Sequence, residues 1–115
     1  MMDSRLQKLA QTVVHYSISV QPGERVLIQA LDINNFDILT PFIDEIYNAG
    51  GQVFFELSDY ATNRKMMLRG SEDQFKLDAK IKLARMREMD AVIALLGEDN
   101  VSEYADVPSE KRNIF

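Results

Sequence analysis

The segment Val20-Gln21-Pro22-Gly23-Glu24-Arg25-Val26-Leu27-Ile28 constrains the fold of this chain more than any other. Proline presets φ at one turn position, and glycine supplies the positive φ that the next can need. Two residues later the chain enters an apolar run. A strand with one wet face would alternate apolar and polar residues. Val26-Leu27-Ile28 does not alternate, which predicts a strand buried on both faces, as in the interior of a parallel sheet. Upstream, Ser4 with Gln7 makes a capping-box pattern, and Leu6, Leu9, Ala10, Val13 and Ser17 recur on one helical face. The turn therefore joins a helix over 5–16 to a strand over 25–30. It is a connector and carries no chemistry of its own.

The same alternation continues downstream. After a polar loop over 32–35, Ile38, Leu39, Phe42, Ile43 and Ile46 predict a second amphipathic helix. Pro41 belongs in its first turn, because deeper in a helix it would cost ~3 kcal/mol. Gly50-Gly51 stops this helix, with Gly50 a natural left-handed cap. A strand over 53–57 follows. Ser58 or Asp59 then caps a short helix through Met66, Met67 and Leu68 that Gly70 ends. Ser71 with Gln74 starts a further helix running to about residue 88, acidic at its start and basic near its end, as the macrodipole favours. Residues 91–96 form a third strand, and Pro108 opens a helix over 109–115. Strands alternating with helices predict an α/β fold of flavodoxin- or Rossmann-like type. It has three layers, with an open, mostly parallel sheet of about three strands flanked by helices and joined by right-handed crossovers. No internal repeat, low-complexity stretch or interior linker divides it, so 1–115 reads as one α/β domain. A small sheet followed by a short helix on Ile114 and Phe115 reads as part of a longer chain.

Composition narrows the function classes. At 115 residues the chain can bury roughly two-thirds of its unfolded surface. A net charge of −5 opposes nucleic-acid binding, which demands clustered Lys and Arg. With no cysteine there is no disulfide framework, thiolate nucleophile or zinc–thiolate site. No apolar run approaches the ~18 residues of a membrane span, and the amino terminus lacks a signal-peptide apolar core. A cytoplasmic protein without membrane or nucleic-acid partners is expected.

Few residues invite chemistry. His15 is the one histidine, beside the apolar face of the first helix, and reads as a surface or boundary residue rather than a base or ligand. A single histidine excludes paired-histidine metal motifs and argues against a Ser-His-Asp triad. The loops after the three strands hold Asp32, Asn34 and Asn35, then Ser58, Asp59 and Asn63, then Glu98, Asp99 and Asn100. In an open parallel sheet these carboxyl-end loops converge around the ligand crevice. They form a polar rim, yet Asp32 or Asn34, Ser58 and Asp59 also sit where helix N-caps are needed, and capping is the favoured reading for them. For Glu98, Asp99 and Asn100 both readings stand, which makes them the candidate substrate-cleft residues. Leu31-Asp32-Ile33-Asn34-Asn35 has no glycine to admit a pyrophosphate, so a dinucleotide site is disfavoured despite Glu56 and Asp59 ending the second strand. A phosphoacceptor receiver site would want an aspartate after the third strand, where the chain reads Leu96-Gly97-Glu98. Lys76, Lys80, Lys82, Arg85 and Arg87 are interleaved with Glu72, Asp73, Asp78 and Glu88, as on a solvated helix face. Met66, Met67, Met86 and Met89 read as core filling.

The order and spacing of several segments resemble one family. They are Leu6-Gln7-Lys8-Leu9-Ala10, the Val20 to Ile28 stretch, Asn48-Ala49-Gly50-Gly51, Glu56-Leu57-Ser58-Asp59, Met89-Asp90-Ala91-Val92-Ile93-Ala94 and Ala105-Asp106-Val107-Pro108. Together, over essentially the whole chain, they resemble the amino-terminal part of the thermophilic-type metalloaminopeptidases, the aminopeptidase T and S family. The resemblance implies a parent hydrolase that removes amino-terminal residues from peptides with two divalent metal ions, zinc, cobalt or magnesium, held in a carboxy-terminal catalytic domain. The family's Glu, His and Asp ligands lie downstream of every position matched here, so no catalytic or metal-ligating residue carries over and this chain needs no cofactor of its own. The resemblance also implies a homodimeric parent. It makes this chain an amino-terminal, non-catalytic domain, inactive alone, that walls the active-site cleft and packs on its own catalytic domain. Two alternatives come from other classes: a standalone receiver- or flavodoxin-like binding module, and a structural interaction domain.

Overall fold

The structure, a computed structural model, describes residues 4–97. The predicted helix over 109–115, with Pro108, Ile114 and Phe115, lies outside the described residues. The chain runs through α1 (Ser4–Gln11), a π-helical turn (Thr12–Ser17), β1 (Arg25–Leu31), a 3-10 turn (Phe36–Leu39), α2 (Thr40–Asn48), β2 (Gln52–Ser58), α3 (Tyr60–Arg69), α4 (Glu72–Arg87) and β3 (Ala91–Leu96). The strands form a parallel sheet of order β2-β1-β3, with Ile28 in register with Phe55 on one side and Ile93 on the other. The central strand is the one whose unbroken apolar run predicted burial on both faces, and Val26, Leu27 and Ile28 are fully buried.

The two crossovers leave β1 and β2 in opposite lateral directions. Right-handed connections therefore put their helices on opposite faces of the sheet. On one face α1, the π-turn and α2 enclose the main core, where Ala10, Val14, Phe42 and Ile46 pack with Val26, Ile28, Ala30 and Ile93. On the other, α3 and α4 lie over Glu56 and Ser58. The expected three layers are present.

Local signals explain most element ends. Gly23 has φ +83, and its N–H donates to the Gly50 carbonyl at 2.8 Å, so the turn before β1 is tied to the left-handed end of α2. Pro41 sits in the first turn of α2, as its missing N–H requires. Asn35 accepts from the Asp37 N–H, Asp59 from Thr62 and Ser71 from Gln74, capping the 3-10 turn, α3 and α4. At the other end of the sheet, Asp90 ties β3 to β1. Its carboxylate accepts from the Arg25 N–H at 2.8 Å, and its own N–H donates to the Arg25 carbonyl.

Two expectations need correction. The first helix is α-helical only to Gln11, and its inner seam is Ala10 and Val14; Leu9 and Ser17 are exposed. The π-turn, with Ile18 N–H bonded to the Val13 carbonyl, fits an extra residue into the turn and rotates Ser17 out of line. Of the four methionines read as core, only Met67 is buried, while Met66, Met86 and Met89 are half-buried. Helix α4 shows little segregation of its apolar residues. Phe75 is buried, but Leu77, Ile81 and Leu83 are at least half exposed, while the Lys76–Glu72 and Lys82–Asp78 pairs close at 3.0 Å.

Candidate functional site

Strand order reverses between β1 and β3: the connection from β1 goes one way to β2, and β3 lies on the other side. In open α/β sheets the carboxyl ends of the strands at such a point form the ligand crevice. Here backbone bonds tie the rim of that crevice together. The Asp32 N–H donates to the Ser58 carbonyl at 2.9 Å, and the Gly97 N–H donates to the Leu31 carbonyl at 2.8 Å. Asp32 adopts φ +61, the left-handed region that aspartate tolerates better than most residues. Gly97 lies directly against the Asp32 carbonyl, where a side chain would collide with it.

The rim residues divide by role. Asp59 is a cap. Its carboxylate accepts from the Thr62 backbone N–H at 2.7 Å and from the Thr62 hydroxyl at 2.8 Å. The Thr62 backbone bond, then its hydroxyl bond, hold the Asp59 carboxyl below its ordinary value against a small opposing effect of burial. Capping accounts for both Asp59–Thr62 bonds. Asn35, rather than Asp32 or Asn34, caps the segment after β1. Ser58 does not cap α3; it is the last residue of β2, and its carbonyl serves Asp32. Glu98, Asp99 and Asn100 lie outside the described residues.

Beside the rim, a shallow cleft of about 260 Å³ opens between β2, α3 and α4, lined among others by Glu56, Ser58, Asp59, Asn63, Asp78 and Lys82. In the sequence, Asp78 and Lys82 belong to a solvated helix face, and Gly97 belongs to no motif. The available signal for Gly97 was a glycine directly after an apolar strand, a common mark of close backbone approach. His15 meets Glu45 of α2 at 2.8 Å, so the one histidine joins the π-turn to α2. Among the described residues no three His, Cys, Asp or Glu side chains are placed to hold a metal ion, so these residues do not fit a dinuclear centre. Among them, too, no helix is long and apolar enough to cross a membrane.

Comparison with known proteins gives this rim its context. No curated protein matches the chain. Among solved structures it is similar to wild-type AmpT from Thermus thermophilus, with a TM-score of 0.66 and 21% sequence identity. That similarity covers 96% of this chain and 29% of the AmpT chain, and at this identity it speaks for the fold. The family model described as thermophilic metalloprotease (M29) matches residues 2–115. The chain belongs to the thermophilic metalloprotease (M29) family, the family of aminopeptidases T and S that its motifs resemble.

Proposed function

We propose that this chain is the amino-terminal, non-catalytic domain of a larger metal-dependent aminopeptidase, and that its carboxyl-end rim walls the cleft entered by the peptide. The observation that carries this reading is coverage. The family match runs over residues 2–115, and the chain spans 29% of the AmpT chain, so most of a family-sized protein lies elsewhere. The residue inventory supports it: one histidine, engaged with Glu45, and an Asp59 committed to capping α3. In this reading the two divalent ions and their ligands belong to a carboxy-terminal catalytic domain, this chain's first partner, in a homodimeric cytoplasmic enzyme. Glu98, Asp99 and Asn100 are its candidates for facing the peptide.

Two measurements test it. The 115-residue chain, supplied with zinc, cobalt or magnesium, is expected to release no amino-terminal residue from a leucyl peptide. Metal-dependent release by the chain alone would overturn the non-catalytic role. In the family-length protein, Glu98→Ala with Asn100→Ala is expected to raise KM several-fold with kcat little changed, and unchanged kinetics would remove these residues from the cleft.

A further inference from the structure

Strand β3 has two unlike faces. Ala91, Ile93 and Leu95 turn into the main core beside Val26, Ile28 and Ala30. Val92, Ala94 and Leu96 turn to the opposite face, beside Leu27, Gln29 and Leu31, and all three are exposed. The solvent side of a strand is ordinarily polar, yet these three are apolar, with Leu96 71% exposed. An open trough of about 200 Å³ runs along them, lined among others by Gln29, Leu31, Glu56, Ala94 and Leu96. Helix α4, on the same face, stands toward β2. The Arg85 guanidinium donates to the Phe55 carbonyl at 3.1 Å and lies 4.0 Å from the Glu56 carboxylate. Leu83, two residues earlier, points about 200° around the helix from Arg85. It therefore lies on the flank turned away from β2, and it is half exposed.

The direction of the chain at Gly97 points to what covers this face. The chain leaves β3 at the carboxyl end of the sheet, where the Gly97 N–H donates to the Leu31 carbonyl. Among the described residues β3 has a strand neighbour only on its β1 side. A crossover from β3 to a further parallel strand beside it moves in the same lateral direction as the one from β2 to β3. Right-handedness then places it on the face of α3 and α4, over Val92, Ala94 and Leu96. Residues 98–115 follow, with Val101, Tyr104, Val107, Ile114 and Phe115 among them. The lengths agree. A helix opening at Pro108 carries Ile114 about 9 Å along its axis, and the strand from Leu96 back to Val92 covers about 13 Å. The pair Ile114–Phe115 thus comes level with the stretch from Val92 to Ala94.

We propose that the exposed face of β3 is the docking surface for residues 98–115 of this same chain, which fold back across it and seat Ile114 and Phe115 against Val92 and Ala94, beside Leu83 of α4. The segment fills the space that α4 leaves by standing toward β2. This inference rests on the handedness of the sheet and on the exposed face of β3, so it stands or falls separately from the aminopeptidase reading.

The chain has no cysteine, so chosen pairs can be introduced and linked with a short bis-maleimide in dilute protein. Val92→Cys with Ile114→Cys is expected to link within one molecule about tenfold faster than Tyr47→Cys with Ile114→Cys, because tethered groups react in proportion to their effective concentration. Tyr47 serves as the control: it is 59% exposed and lies on α2, over the other face of the sheet. Equal rates, or faster linking to Tyr47→Cys, overturn the proposal. Linking of the Val92 pair only between molecules also overturns it, since a second copy would then cover the face. Should cysteine at Val92 disturb the fold, alanine decides instead. Val92→Ala and Ile114→Ala together are then expected to lower Tm by less than the sum of their separate shifts. Shifts that simply add overturn the proposal.

Discussion

Gly97 stands so close to the Asp32 carbonyl that no side chain fits between them. The contact joins the end of β3 to Asp32, the left-handed residue that follows β1. Gly97→Ala should force one of the two segments to move. A loss of about 1–3 kcal/mol is expected from the overpacking, read from the urea midpoint at unchanged m-value. An unchanged midpoint would mean that the rim yields freely.

Asp59→Ala should weaken the start of α3, and the effect should depend on pH. The carboxyl of Asp59 is depressed in the folded chain by its two bonds from Thr62. Its contribution is therefore fully present above the unfolded pKa and is lost as pH falls through the lower folded value. The melting temperatures of the two proteins should differ near neutral pH and converge in strong acid. A gap that persists below the carboxylate range would show that Thr62 is not bonded to the charged form.

Phe42→Ala removes the largest fully buried ring on the α1–α2 side of the sheet. It should cost about 3–5 kcal/mol, against about 1 kcal/mol for the cap change Ser71→Ala at the start of α4. Chemical denaturation of both variants checks the order. A reversal would mean that α4, not the α2 side, carries the stability of the domain.

His15→Ala should be nearly silent in stability, within about 1 kcal/mol, because its bond to Glu45 lies at a partly exposed surface. In a family-length protein the same change should leave metal-dependent peptide hydrolysis in place. Loss of activity with the fold intact would put His15 in the catalytic machinery.

Much of the fold could be read before the structure because its signals are local. The unbroken Val26-Leu27-Ile28 run, the Pro22-Gly23 turn, Pro41 in a first turn and Ser71 with Gln74 each act within a few residues, and each appears where expected. The inner face of the first helix is as expected at Leu6, Ala10 and Val13, while Leu9 and Ser17 turn outward and Val14 inward, because the last turn is π-helical and shifts the face there. Asn35 took the capping role expected of Asp32 or Asn34, because Asp32 is drawn by Ser58 into extending the end of β1. Of the candidate site, the rim of Asp32, Ser58 and Asp59 was legible from strand ends alone. The approach of Gly97, and the cleft that unites Glu56 with Asp78 and Lys82, were not.

The sequence by itself determined the alternating elements, the buried central strand and the family, because these depend on short-range periodicity, turn chemistry and ordered motifs. Only the tertiary structure decided that β2 pairs on one side alone among the described residues, that Arg85 crosses from α4 to its Phe55 carbonyl, and that Gly97 closes on Asp32. The last two join residues 30 and 65 positions apart. Contacts at that separation follow from the handedness of the crossovers and the lateral order of the strands, which no local pattern encodes.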